Sequence, residues 1–349
     1  MVKVVVDVMG GDYAPLEQIA GCVKALNEDK DLFLILCGDK TQMETELSKY
    51  QYDVNRVELI HTTETISMEE IPTKAVKTKK DSSLVVAFKQ LKEGKADALV
   101  SSGSTGAVLT AGVLILGRLK GISRPALCPA IPNHRGEVTL LCDCGANLEC
   151  KPLNLLHFSI MASAYAETVF GVKNPKVGLL NNGTEEHKGT QLLQDTNAIL
   201  QKVSCVNYAG NREGRDLMYG DVDVMVCDGF TGNIAMKAVE GCGKTVSSIL
   251  KKEFKRNIFT KIKALLCMDV IKKLRSTLDY ERVGGATFLG LKKAVVKGHG
   301  NSKALGFSVC IAQAAAASRN DLTGKIQAML EKIDLEEVAK LTEESGANQ

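Results

Sequence analysis

The chain has 349 residues, 45% of them hydrophobic and 24% charged, with a formal net charge of +3. A chain of that length carries a large buried core, and its composition excludes disorder. The small net charge provides no global attraction for nucleic acid, so no such partner is expected.

Residues 2 to 8 (VKVVVDV) are mostly β-branched and apolar and read as a strand. No basic segment, apolar stretch or small-residue cleavage site precedes them, so no secretory signal is expected. The 11 cysteines are then expected as reduced thiols. A turn, Met9-Gly10-Gly11-Asp12, leads past Pro15 into a helix with Ile19, Val23 and Leu26 on one face. The same unit recurs. Phe33 to Cys37 ends in Gly38-Asp39, Ala98 to Val100 in Ser101-Ser102-Gly103, and Thr139 to Cys142 in Asp143-Cys144-Gly145. Val177 to Leu180 ends in Asn181-Asn182-Gly183, and Val222 to Cys227 in Asp228-Gly229. A helical pattern follows each turn, and the chain beyond Asp321 reads as a polar, weakly amphipathic helix.

Three segments invite misreading. Ala98 to Gly117 has no charged residue and is long enough to cross a bilayer. Its serines, threonines and glycines fit a buried strand, a turn and a buried helix better. Cys142, Cys144 and Cys150 match no common zinc spacing and are expected as small buried side chains. Glu240 to Thr245 resembles the end of a P-loop, but Ala238 stands where a glycine is required, so a helix interior is expected. There is also no GxGxxG after the first strand and no GxSxG elbow.

Strands alternating with helices predict an α/β fold with much parallel pairing and helices on both faces of the sheet. Ligands in such folds sit beyond the carboxyl ends of the strands. The glycine and small-polar turns collect there, where exposed N–H groups attract anions. The candidate donors are Ser102, Gly103, Ser104 and Thr105; Asn147; Asn182, Gly183 and Thr184; and Asn233.

These turns resemble the phosphate acyltransferase (PlsX) family of bacterial phospholipid synthesis. The resembling segments run in order along nearly the whole chain: DVMGGDYAP, EEIPTKAVKTKKDSSL, SSGSTGAV, CDCGANLECKP, NNGTEEHKG, EGRD, VCDGFTGNIAMKAVEG and GGATFLGLKKAVVKGHGNS. The family usually has asparagine at the position of Ser104. The resemblance implies a three-layer α/β/α fold with one large mixed sheet, like isocitrate and isopropylmalate dehydrogenases and phosphotransacetylase. It implies a single catalytic unit over 1–349 of two intertwined subdomains, and a homodimer. It implies acyl transfer from acyl carrier protein to inorganic phosphate, in the cytoplasm, with no metal and no other cofactor.

Phosphate is already an anionic nucleophile, so the reaction needs a phosphate cradle, donors for the carbonyl oxyanion and close alignment of the two. The resemblance places Lys188 and Asn233 at the reacting groups, Lys188 for charge stabilisation and Asn233 for orienting the carbonyl. A solvated lysine and a helix N-cap are the bland alternatives. His299 is a candidate to protonate the departing thiolate, or a structural histidine. Asp7, Asp12 and Asp228 read as loop anchors, with Asp228 also among the substrate-site residues. Glu185 and Glu186 suit either an acid–base role or the start of a helix. The rival functions are a phosphotransacetylase acting on acyl-CoA, an isopropylmalate-type dehydrogenase and a non-catalytic membrane scaffold.

Residues 246 to 278 stand apart. Apolar positions at Ile249, Leu250, Phe254, Ile258, Ile262, Leu265, Leu266, Val270, Ile271, Leu274 and Leu278 recur at helical spacing, with a break near Cys267 to Asp269. The basic residues from Lys251 to Arg275 are opposed only by Glu253 and Asp269. A protruding helical pair is expected, facing an anionic membrane surface, the acidic carrier protein or a dimer partner.

Overall fold

Val4 and Val6 enter one apolar core and Val5 another, as alternation along a strand requires. Leu34 and Leu36 part from Ile35 in the same way, and Ala98 and Val100 from Leu99. These strands are therefore covered on both faces, which is why they read as continuous apolar runs. The computed structural model describes residues 1–277 and 283–333.

The first sheet holds β1 (Val2–Asp7), β2 (Leu32–Gly38), β3 (Val57–His61), β4 (Ala98–Ser101), β5 (Ala126–Cys128), β11 (Ala286–Leu289) and β12 (Ala294–Lys297). Its order is β3-β2-β1-β4-β12-β11-β5, with β11 antiparallel to both neighbours and the other pairings parallel. The second sheet holds β6 (Ala130–Pro132), β7 (Val138–Cys142), β8 (Lys176–Asn181), β9 (Asn207–Glu213) and β10 (Val224–Val226). Its order is β6-β7-β10-β8-β9, parallel except for β6.

The single large sheet implied by the resemblance is thus two mixed sheets. One short run, Ala126 to Pro132, crosses from the first to the second. Pro129 lies at the crossing, where its missing N–H cannot extend a ladder.

The helices are α1 (Leu16–Glu28), α2 (Lys40–Leu47), α3 (Pro72–Thr78), α4 (Ser83–Lys92), α5 (Thr105–Ala111) and α6 (Pro152–Val169), then α7 (Gln191–Lys202), α8 (Gly229–Lys255), α9 (Ile258–Leu266), α10 (Met268–Thr277), α11 (Ala304–Arg319) and α12 (Leu322–Leu330). Helices α1 and α11 cover one face of the first sheet and α4 the other. Helix α6 is apolar nearly all round because it lies in the core shared by both sheets. Its Tyr165 hydroxyl accepts hydrogen bonds from Thr287 and Gln313, joining α6 to β11 and α11.

The uncharged stretch from Ala98 is β4, a turn, α5 and a short wide helical turn over Gly112–Leu116. No helix among the described residues is long and apolar enough to cross a membrane. Glu240 to Thr245 lies inside α8, and Cys142 and Cys144 are buried.

The expected helical pair is three pieces: the outer end of α8, α9 and α10. The break at Cys267 is as expected; a second falls at Asn257, which caps α9 by accepting the Thr260 N–H at 2.9 Å. Leu265 is 73% and Leu266 78% exposed, so this apolar face is uncovered. Leu278 lies outside the described residues, as does the chain beyond 333.

Candidate active site

Because β1, β4 and β12 are parallel neighbours, their last residues stand side by side: Asp7 opposite Ser101, and Ser101 opposite Lys297. The turns beyond them form a first rim. Asp7 is buried and accepts from the Ser83 hydroxyl at 2.6 Å and the Ser101 hydroxyl at 2.7 Å. Ser101 in turn accepts the Gly103 N–H at 3.0 Å. Burial pushes the Asp7 carboxyl pKa up, against the pull of these serines and the Met9 and Gly10 N–H groups. The Asp12 N–H reaches the Gly300 carbonyl at 2.8 Å, closing the first turn onto the β12 turn. A Cβ on Gly10 would lie 2.7 Å from the Gly103 nitrogen, so this approach of two backbones requires glycine.

Sequence reasoning missed Lys297. It is only 7% exposed, and its ammonium donates to the Gly298 carbonyl and, at 3.4 Å, to the Ser102 carbonyl. Burial lowers its pKa from the ordinary 10.5 to about 8, while Cys310, Asp12 and Asp7 pull the other way. The available signal was a lysine ending the apolar strand AVVK at a glycine turn. Ser102 and Gly103 are buried, and Ser104 and Thr105 half-buried beside them.

The second rim lies beyond β7, β10 and β8. Asp143 is buried and accepts N–H bonds from Leu127 at 2.8 Å, Cys144 at 2.6 Å and Asn147 at 2.6 Å. The Asn147 amide donates to Asp143 at 2.9 Å and to the Pro125 carbonyl at 2.8 Å, so both its hydrogens pin this loop. Asp228 is the N-cap of α8 and accepts from the Thr231 N–H and hydroxyl, an anchoring role. Asn233 is therefore not the cap; it lies in the second turn of α8, half-buried against Gly145. A Cβ on Gly232 would fall 2.0 Å from the Asp143 carbonyl oxygen, so α8 can start here only with glycine.

At the end of β8, Asn182 and Thr184 are exposed and Gly183 is buried. Lys188 is not on a helix: it precedes α7 by three residues, in the loop. Its stem crosses Gly183 and its ammonium stands 3.9 Å from Glu185. Backbone N–H groups and Lys188 hold the Glu185 carboxyl below its usual range, so it is ionised at neutral pH.

One contact ties the first rim to α8. His299 Nε2, on the first rim, lies 3.8 Å from Glu240 Oε1. Glu240 is seven residues beyond Asn233 on the same helix, a rise of roughly 10 Å. His299 thus reaches α8, while Ser102–Thr105 and Lys188 belong to opposite rims.

The fatty acid synthesis protein family matches residues 2–325. The chain belongs to this family. It is 45% identical over 334 residues to a phosphate acyltransferase of Clostridioides difficile, covering 96% of this chain and 98% of that one. A phosphate acyltransferase of Alkaliphilus oremlandii is 47% identical over 312 residues, covering 89% and 92%. Among solved structures, the EutD phosphotransacetylase of Staphylococcus aureus superposes with a TM-score of 0.60 at 19% identity, covering 91% and 94%, a likeness of fold.

Proposed function

We propose that this phosphate acyltransferase moves a fatty acyl group from acyl carrier protein to inorganic phosphate, making acyl phosphate for phospholipid synthesis. An oxygen of hydrogen phosphate attacks the thioester carbonyl, the C–O bond forms and the C–S bond breaks. The proton of hydrogen phosphate ends on the departing sulfur, directly or through His299, so charge and atoms balance without another reactant. The supporting observation is that His299, on the glycine-lined rim with Ser102–Thr105, reaches α8, the helix that carries Asn233 beside the second rim, where Lys188 also lies. Lys188 stabilises developing charge, and Asn233 orients the carbonyl. Asn182, Gly183 and Thr184 line the same rim.

The two-sheet architecture suits the isocitrate and isopropylmalate dehydrogenase type, here serving acyl transfer. The exposed apolar and basic face of α8 to α10 serves as a peripheral contact with anionic membrane or carrier protein in the cytoplasm, and the protein works as a homodimer. Incubating purified protein with phosphate and either acyl carrier protein thioester or acyl-CoA, and assaying acyl phosphate, tests the donor. Product from acyl-CoA alone would replace this reading by a phosphotransacetylase acting on acyl-CoA.

A further inference from the structure

We infer that Lys297 and Ser102 form the seat of the phosphate nucleophile on the first rim, leaving Lys188 and Asn233 to the thioester carbonyl on the second. The inference rests on the acyl transfer proposed above and divides its two anionic groups between two lysines.

Three observations carry it. The Lys297 ammonium is buried, yet among the described residues no carboxylate lies within ion-pair distance of it. Two backbone carbonyls answer two of its three N–H donors. The Ser102 hydroxyl is fully buried and has no hydrogen-bond partner. The two groups adjoin: Lys297 reaches the Ser102 carbonyl, and a Cβ on Gly298 would meet Ser102 Oγ at 2.4 Å. Burying a hydroxyl without a partner beside a cation without a counter-charge costs stability, so such a pair marks a place kept for a ligand. A ligand satisfying both is an anion rich in acceptor oxygens, and the proposed reaction supplies one. Gly11, Gly298 and Gly300 keep side chains out: a Cβ on Gly11 would stand 2.8 Å from Gln18 Nε2 and 3.1 Å from the Gly300 carbonyl. The half-buried Lys188, with Glu185 beside it, suits an oxyanion that appears only during reaction.

The test uses inorganic phosphate as the probe. Phosphate titrations of the wild type, Lys297→Met and Ser102→Ala are run twice: without acyl donor, by calorimetry, and with it, by acyl phosphate release. Losing a charge-assisted hydrogen bond corresponds to about ten- to a hundredfold in affinity. Lys297→Met should raise the phosphate Kd and KM by that order and leave the acyl-donor KM unchanged. Ser102→Ala should raise both phosphate constants by about threefold to tenfold, and it decides the matter if Lys297→Met does not fold. Wild-type phosphate constants in Ser102→Ala and in folded Lys297→Met would overturn the seat while the acyl transfer stands. A wild type that binds phosphate through these residues but forms no acyl phosphate would keep the seat and remove the proposed function.

Discussion

Ser101 donates its hydroxyl to Asp7 at 2.7 Å while accepting the Gly103 N–H at 3.0 Å, so one serine ties a buried carboxylate to the first-rim turn. Replacing Asp7 by alanine strands the Ser83 and Ser101 hydroxyls in a buried site. Each stranded group costs about 1–3 kcal/mol. Urea unfolding should show Asp7→Ala losing more stability than Ser83→Ala; equal midpoints for wild type and Asp7→Ala would remove the anchoring role.

Lys188 is half-buried in a loop and Asn233 half-buried on α8, so neither carries much of the core. Lys188→Ala and Asn233→Ala should each lower kcat by about 10²–10³ and leave the thermal midpoint nearly unchanged. Wild-type turnover in either variant refutes that residue's role.

The titration of Lys297 has a definite sign. Its pKa falls from 10.5 unfolded to about 8 folded, so between those values the unfolded chain holds a proton that the folded chain has released. Stability therefore rises with pH across that window and is flat below it. Asp7, Asp12 and Cys310, which face Lys297, are shared with a Lys297→Met variant and largely cancel in the comparison. In phosphate-free buffer, the stability of the wild type relative to Lys297→Met should climb from about pH 8 to about pH 10.5. A flat difference means that the lysine is not desolvated.

The chain lacks a dinucleotide fingerprint, a complete P-loop and a zinc-type cysteine spacing, while its rims carry anion-type turns. Acyl phosphate should form at an undiminished rate in EDTA and without nucleotide. Strict dependence on a divalent metal or NAD would contradict the mechanism.

The exposed apolar face of α9, with Lys261 and Lys263 beside it, should carry the protein up with anionic vesicles in flotation. Leu265→Glu should abolish flotation without unfolding. If both forms float equally, α9 is not the anchor; if the variant loses its dimer instead, the face packs on a partner copy.

Of the strands that end at the rims, all but β12 were legible, because burial on both faces makes them continuous apolar runs closed by glycine. Strands β5 and β6, three residues each, carry too little pattern to be read, and the polar β9 has no apolar alternation at all. Their pairing comes from distant partners, and so does the division into two sheets. Lys297 escaped for a related reason: a lysine at the end of a strand ordinarily lies in water, and here the turn at Ser102 folds back over it. The cap at Asn257 was readable from Asn257 and Thr260, but the apolar spacing continues through it and masked the break.

Helix α8 is also a spacer. It runs unbroken from Asn233 to Lys255, about 33 Å at the usual rise per residue. Its inner end is fixed where Gly232 abuts the Asp143 carbonyl, so backbone geometry sets the distance between Asn233 and α9. Were α9 to rest on a bilayer, as proposed, that length would cap how far above the lipid Asn233 stands. A long-chain product formed there would then have at most about one helix length to travel.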